Sequence, residues 1–125
     1  MKISAYTSDD SLVVALTGVL DTWELLSIGG ELKRLIETST LDVILDLSAL
    51  TEIDSSGINV LLAFQAWLFA RDRSFVLAAA KGAVATSLRR RQVQDQIPIM
   101  SSVDDALNMV CPTMELPLMM GKMAT

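Results

Sequence analysis

No histidine occurs among the 125 residues. That removes the commonest general base and the commonest metal ligand. With a single cysteine, Cys111, the chain offers neither a Ser–His or Cys–His nucleophile pair nor a zinc ligand set. One cysteine also excludes an internal disulfide and fits a reducing compartment. Long apolar runs are missing too. The longest candidate, residues 58–70, carries Asn59 and Gln65 and falls short of the about 20 residues that span a bilayer. The N-terminus has no apolar signal core and turns polar at Thr7-Ser8-Asp9-Asp10-Ser11, so a cytoplasmic protein without membrane insertion is expected. Basic residues are outnumbered, 10 against 15 acidic, for a net charge of −5, which argues against a general nucleic-acid binder. The one basic cluster, Arg89-Arg90-Arg91, reads as a solvated helix end, where cations meet the favourable end of the dipole. No glycine-rich phosphate loop is present, since Gly18 and Gly29-Gly30 do not make one.

What remains is an apolar chain, 51% by composition, long enough for one domain with a core of its own. Val13-Val14-Ala15-Leu16-Thr17-Gly18 is β-branched, apolar and ended by glycine, the pattern of a strand. The polar turn before it and residues 2–7 imply an antiparallel hairpin. Asp21 or Thr22 can cap a helix whose buried stripe is Leu25, Ile28, Leu32, Leu35 and Ile36. Gly29-Gly30 interrupts that stripe at about 1 kcal/mol per glycine, which predicts a bend or close packing there. Further strands are expected at 41–47, 75–80 and 97–100, with Pro98 marking a sheet edge. Further helices are expected at 55–71, 82–91 and from a Ser101-Ser102-Val103-Asp104-Asp105 cap to about 111. Strands alternating with helices predict an α/β fold: a mixed, mostly parallel sheet of about five strands, four helices and right-handed crossovers. A domain over 1–111 would be followed by a tail over 112–125. That tail holds two of the three prolines and four of the seven methionines. It is either a disordered terminus or an adaptable apolar segment for docking a partner or sister subunit, and the apolar balance fits a homodimer.

Asp54-Ser55-Ser56-Gly57 lies between a strand and a long apolar helix. Free backbone N–H groups and the helix dipole favour negative charge there, so a phosphate on a serine would be stabilised. The same residues also suit a plain helix cap. Asp21, Glu52 and Asp54 could make a carboxylate group for acid–base work. With no histidine, metal ligands or cofactor motif beside them, the sequence points to binding and to no enzyme, no catalytic residue and no cofactor.

Four segments together resemble the STAS domains, most closely the single-domain anti-sigma factor antagonists of bacteria. They are Leu16-Thr17-Gly18-Val19-Leu20-Asp21, Leu45-Asp46-Leu47 with Leu50, Asp54-Ser55-Ser56-Gly57-Ile58 and Ser102-Val103-Asp104-Asp105-Ala106-Leu107. The resemblance implies a phosphorylation-controlled binding protein. Its unphosphorylated form would bind an ATP-binding serine kinase that is itself an anti-sigma factor, releasing the sigma factor. Phosphorylation would break the complex, and a serine phosphatase would restore it. It implies Ser55 as the phosphorylated residue, Ser56 as runner-up, and Asp21 as the family aspartate near that site, compatible with a helix cap. It also implies that Gly57 leaves room for the partner's approach.

The helix that follows departs from the family pattern. Its outer face carries Asn59, Ala63, Ala66 or Trp67, and Ala70, where polar and basic residues are usual. A helix apolar nearly all round is either covered or binds something. Asp21, Asp54, Ser55, Ser56, Gly57, Asn59, Ala63 and Trp67 therefore form the candidate partner-binding set. Phe64 and Trp67 belong either to an interface adjoining Ser55 or to the core. The apolar helix also suits two rivals, a STAS subunit of an ABC-type lipid transporter and a scaffold protein of a stress-signalling assembly.

Overall fold

The computed structural model describes residues 2–8 and 10–110, apart from the side chains of residues 24–28 and 110. Cys111 and the tail expected from 112 lie outside the described residues. Five strands form one sheet in the order β1 to β5: β1 Lys2–Ser8, β2 Ser11–Leu20, β3 Asp42–Ile53, β4 Phe75–Ala78 and β5 Ile99–Met100. The β1–β2 pair is an antiparallel hairpin, and the other pairs are parallel. Four helices connect or follow the parallel strands: α1 Thr22–Thr38, α2 Ser55–Phe69, α3 Gly82–Arg90 and α4 Val103–Val110. This is the expected α/β architecture. Pro98 immediately precedes the edge strand β5, which is shorter than the sequence pattern suggests.

The apolar runs are continuous because both faces of the central strands are covered. Leu12, Val43 and Phe75 lie in register, as do Val14, Leu45 and Leu77. All six join Leu32 and Ile36 of α1, Ile58, Leu61 and Leu68 of α2, and Val84 and Leu88 of α3 in the larger core. The intervening row, Val13, Ile44 and Val76, forms the smaller core against Ala106 of α4. The Ser102 hydroxyl caps α4 by accepting from the Asp105 amide at 3.0 Å. Among the described residues no helix is long and apolar enough to cross a membrane.

Two sequence expectations are corrected. The strand read at 41–47 continues to Ile53. Its pairing with β2 shifts register twice, between Ala15 and Thr17 and between Gly18 and Val19, so β3 spends extra residues against a shorter stretch of β2. Such bulges break the alternation that a strand reading relies on. Local bonds hold them: Asp46 Oδ1 accepts from the Ser48 amide at 2.9 Å, and Thr51 Oγ1 donates to the Gly18 carbonyl at 2.9 Å. Gly18 itself has φ of 113°, a left-handed backbone that only glycine adopts cheaply. The second correction concerns Gly29-Gly30. The helix runs through both, and a Cβ at either would meet nothing within 4 Å. Close packing does not occur there.

Candidate functional site at the start of the second helix

The extension of β3 delivers Asp54 to the end of β2, where its amide donates to the Leu20 carbonyl at 3.2 Å. Asp54 then turns extended, with φ −104° and ψ −176°, and caps α2. Oδ1 of Asp54 accepts from the Gly57 amide at 2.9 Å, satisfying one of the orphan donors of the first turn. Oδ2 accepts from the Thr22 amide at 3.3 Å. One carboxylate thus fastens the first turn of α2 to the first residue of α1.

A second link lies beside it. The Thr22 and Ser56 hydroxyls are hydrogen-bonded at 2.8 Å. Ser56 is half-buried, whereas Ser55 is exposed, and no described residue hydrogen-bonds its hydroxyl. The sequence could not separate these two serines by their chemistry. The distinction comes from Thr22, which the sequence suggested only as a helix cap. Asp21 is half-buried and stands between Leu20 and Thr22, both of which touch the motif. It belongs to the joint by position.

Gly57 is buried. An added Cβ would lie 2.7 Å from the Leu20 carbonyl oxygen and 2.8 Å from Cγ1 of Ile53. The space is therefore taken by the protein's own β2 and β3, not left open for an approaching partner. That corrects the role expected for this glycine.

Along α2, Asn59 and Ala63 continue an exposed line from Ser55, and Ala66, Phe69 and Ala70 are exposed beyond it. Phe69 is 76% exposed, although the sequence pattern did not single it out. Trp67 does not adjoin Ser55. Twelve residues of helix at about 1.5 Å each separate them by roughly 18 Å. Its ring, like that of Phe64, is partly buried against the larger core, and the Arg71 guanidinium covers it at 3.8 Å from the ring centroid. Behind Trp67, buried Arg73 donates from Nε to the Leu41 carbonyl at 2.6 Å and from Nη1 to the Ile36 carbonyl at 3.0 Å. Desolvation lowers its pKa, with Asp42 acting in the opposite sense and Arg71 in the same one.

On the other side of Ser55 lies a cleft of about 280 Å³ lined by Ile53, Asp54, Ser55, Ile58, Ser87, Arg90 and Arg91. The sequence placed those arginines on a solvated helix end. They are exposed, but they face the motif because α3 packs against β3. Among the described residues no group of three His, Cys, Asp or Glu side chains could hold a metal ion. The site offers a capped helix start, a hydroxyl open to solvent and a cationic wall.

An open α/β domain with an aspartate-capped serine motif at the exit of a central strand is the class defined here. Residues 2–106 match the STAS domain, and the chain belongs to that family. Its fold is similar to that of an anti-sigma factor antagonist from Mycobacterium paratuberculosis, with a TM-score of 0.78 at 21% identity over 87% of this chain and 92% of the other. It is also similar to the anti-sigma factor antagonist SpoIIAA in its unphosphorylated form, with a TM-score of 0.71 at 18% identity over 87% and 96%. The phosphorylated form of the Bacillus cell fate determinant SpoIIAA matches with a TM-score of 0.64 at 18% identity over 87% and 99%.

Proposed function

We propose that this protein is a phosphorylation-controlled binding module. Its unphosphorylated form engages a serine kinase that is also an anti-sigma factor, and phosphorylation of Ser55 ends that engagement until a serine phosphatase reverses it. The observation that carries this reading is the contrast between the two motif hydroxyls. Ser56 is held by Thr22 at 2.8 Å, while Ser55 stands exposed on the first residue of α2. Family membership supports the class of switch, as does the similarity to a fold known in unphosphorylated and phosphorylated forms.

In the transfer, Ser55 Oγ attacks the γ-phosphorus of ATP, its proton is lost, and ADP leaves. The product carries roughly −1.5 to −2 charges at pH 7. Exposed N–H groups of the first turn and the helix dipole favour that charge locally, so the domain keeps its fold. The effect falls on the partner, which meets the new bulk and charge beside Asp54. The proposed contact surface is Asp21, Asp54, Ser55 and Ser56 with Asn59 and Ala63 along the helix. Gly57 supports it from beneath, and Trp67 lies outside it.

The test is co-purification with Ser55→Ala and Ser55→Asp proteins, followed by phosphorylation of wild type with the recovered ATP-binding partner. Alanine should retain the partner and aspartate lose it, with phosphate mapping to Ser55 by mass spectrometry. Equal recovery by both variants, or recovery of ABC-transporter subunits with either, would refute the switch.

A further inference from the structure

We propose that Arg90 and Arg91 form an intramolecular clamp for the Ser55 phosphate, so that phosphorylation both adds a charge to the site and removes two cations from the binding surface. The clamp rests on Ser55 being the phosphorylated residue. Three observations carry it. The two arginines and Ser55 line one cleft of about 280 Å³, wide enough for a phosphate group. Neither guanidinium makes a hydrogen bond or ion pair with a described residue, and both are exposed, so they can swing across the cleft without breaking an existing contact. The one carboxylate in the cleft, Asp54, is occupied by the Gly57 and Thr22 amides. Two positive charges therefore face one negative charge that is already engaged.

The guanidinium suits this role better than an ammonium would. It presents paired N–H donors that match phosphate oxygens, and such charge-assisted contacts are the strong ones. Ser87, Arg90 and Arg91 stand at i, i+3 and i+4, which places them on one side of α3. Arg89 stands on another side and lines a separate cleft with Ala85, Leu88 and Met100. It carries the same charge on the same helix end without facing Ser55, and so serves as an internal control.

Before phosphorylation the arginines are available to an acidic surface on the partner. Afterwards the phosphate holds them, and the site presents a compact, nearly neutralised knot in place of two extended cations. The clamp makes the switch work by withdrawing the two cations and by the bulk of the phosphate.

The experiment uses the protein with phosphoserine installed at position 55 during translation, so that no kinase or partner is needed. The probe is the phosphorus resonance of that residue, titrated through its second pKa near 6. Wild type should titrate about 0.5 to 1 unit below the Arg90→Gln/Arg91→Gln protein, a difference of about three- to tenfold in proton affinity. Arg89→Gln should match wild type, the double lysine variant should fall between, and 1 M salt should shrink the difference. Far-UV circular dichroism confirms that each variant is folded. A wild-type titration identical to that of the double glutamine variant, or an equal shift from Arg89→Gln, would overturn the clamp. A partner that binds phosphorylated and unphosphorylated wild type alike would overturn the proposed switch, and the titration would stand apart from that result.

Discussion

Replacing glycine by alanine in two helices of this domain should give opposite signs, and the geometry sets both. At Gly57 an added methyl would sit 2.7 Å from the Leu20 carbonyl oxygen, 2.8 Å from Cγ1 of Ile53 and 3.0 Å from Cγ of Leu20. The carbonyl cannot retreat freely, because it accepts from the Asp54 amide at 3.2 Å. Moving it endangers a hydrogen bond of about 1 kcal/mol. Forcing a methyl into a filled site costs roughly 1–3 kcal/mol, the upper end applying where the obstacle is backbone. Alanine's better helix propensity returns about 1 kcal/mol. The balance is a loss of about 1–3 kcal/mol for Gly57→Ala. With a urea slope of about 1–3 kcal/mol/M, the unfolding midpoint should fall by on the order of 1 M. At Gly29 and Gly30 a methyl meets nothing within 4 Å, so only the propensity gain and the smaller unfolded-state entropy remain. Each alanine there should stabilise by about 0.4–1 kcal/mol. Urea titration of the three variants checks both signs, and a Gly57→Ala midpoint at or above wild type would refute the close-approach argument.

Asp54→Ala removes the α2 cap and the tie to Thr22 together, and should cost about 1–2 kcal/mol in the same titration. It should also slow phosphorylation of Ser55, since the first turn loses its anchor. Arg73→Met leaves the Ile36 and Leu41 carbonyls without their donor and should cost about 1–3 kcal/mol, while partner recovery by the folded fraction stays at wild-type level. Arg71→Ala, an exposed change over the same tryptophan, should cost under about 1 kcal/mol.

The strands and the order of elements were legible because the core rows are long and β-branched. Val13-Val14 and Ile44-Leu45 are buried in the sheet from both sides and need no tertiary information to be recognised. Beyond Leu47 the signal fails for a physical reason. Two register shifts break the alternation, so the sequence shows polar and apolar residues in no simple period where the structure has a strand. That loss propagates. With β3 ended early, nothing brings α3 to the motif, and Arg90 and Arg91 read as solvent-facing residues. Propensity alone registers Gly29-Gly30, while only packing reveals the demand at Gly57. Ser55 and Ser56 are chemically equal in the sequence, and the hydroxyl that separates them, on Thr22, lies 34 positions from Ser56.

The four motif residues divide two jobs that would otherwise conflict. Asp54 spends both carboxylate oxygens on backbone amides, Ser56 spends its hydroxyl on Thr22, and Gly57 yields its volume to Leu20 and Ile53. These three hold β2, β3, α1 and α2 together at one corner. Of the three that carry side chains, Ser55 alone contributes no side-chain bond to that corner. A charge can therefore be added at Ser55 with the joint intact, whereas the same modification on Ser56 would displace Thr22 and strain the joint. A switch that must be reset repeatedly needs this separation, because a modification that also loosened the fold would trade reversibility for unfolding. Under the proposed switch, the corner favours the first serine of the pair as the residue that carries the phosphate. Removing the restraint is the direct check: Thr22→Val frees the Ser56 hydroxyl, so phosphopeptide mapping should find phosphate on Ser56 as well as Ser55, and mapping to Ser55 alone at the wild-type level would refute the restraint by Thr22.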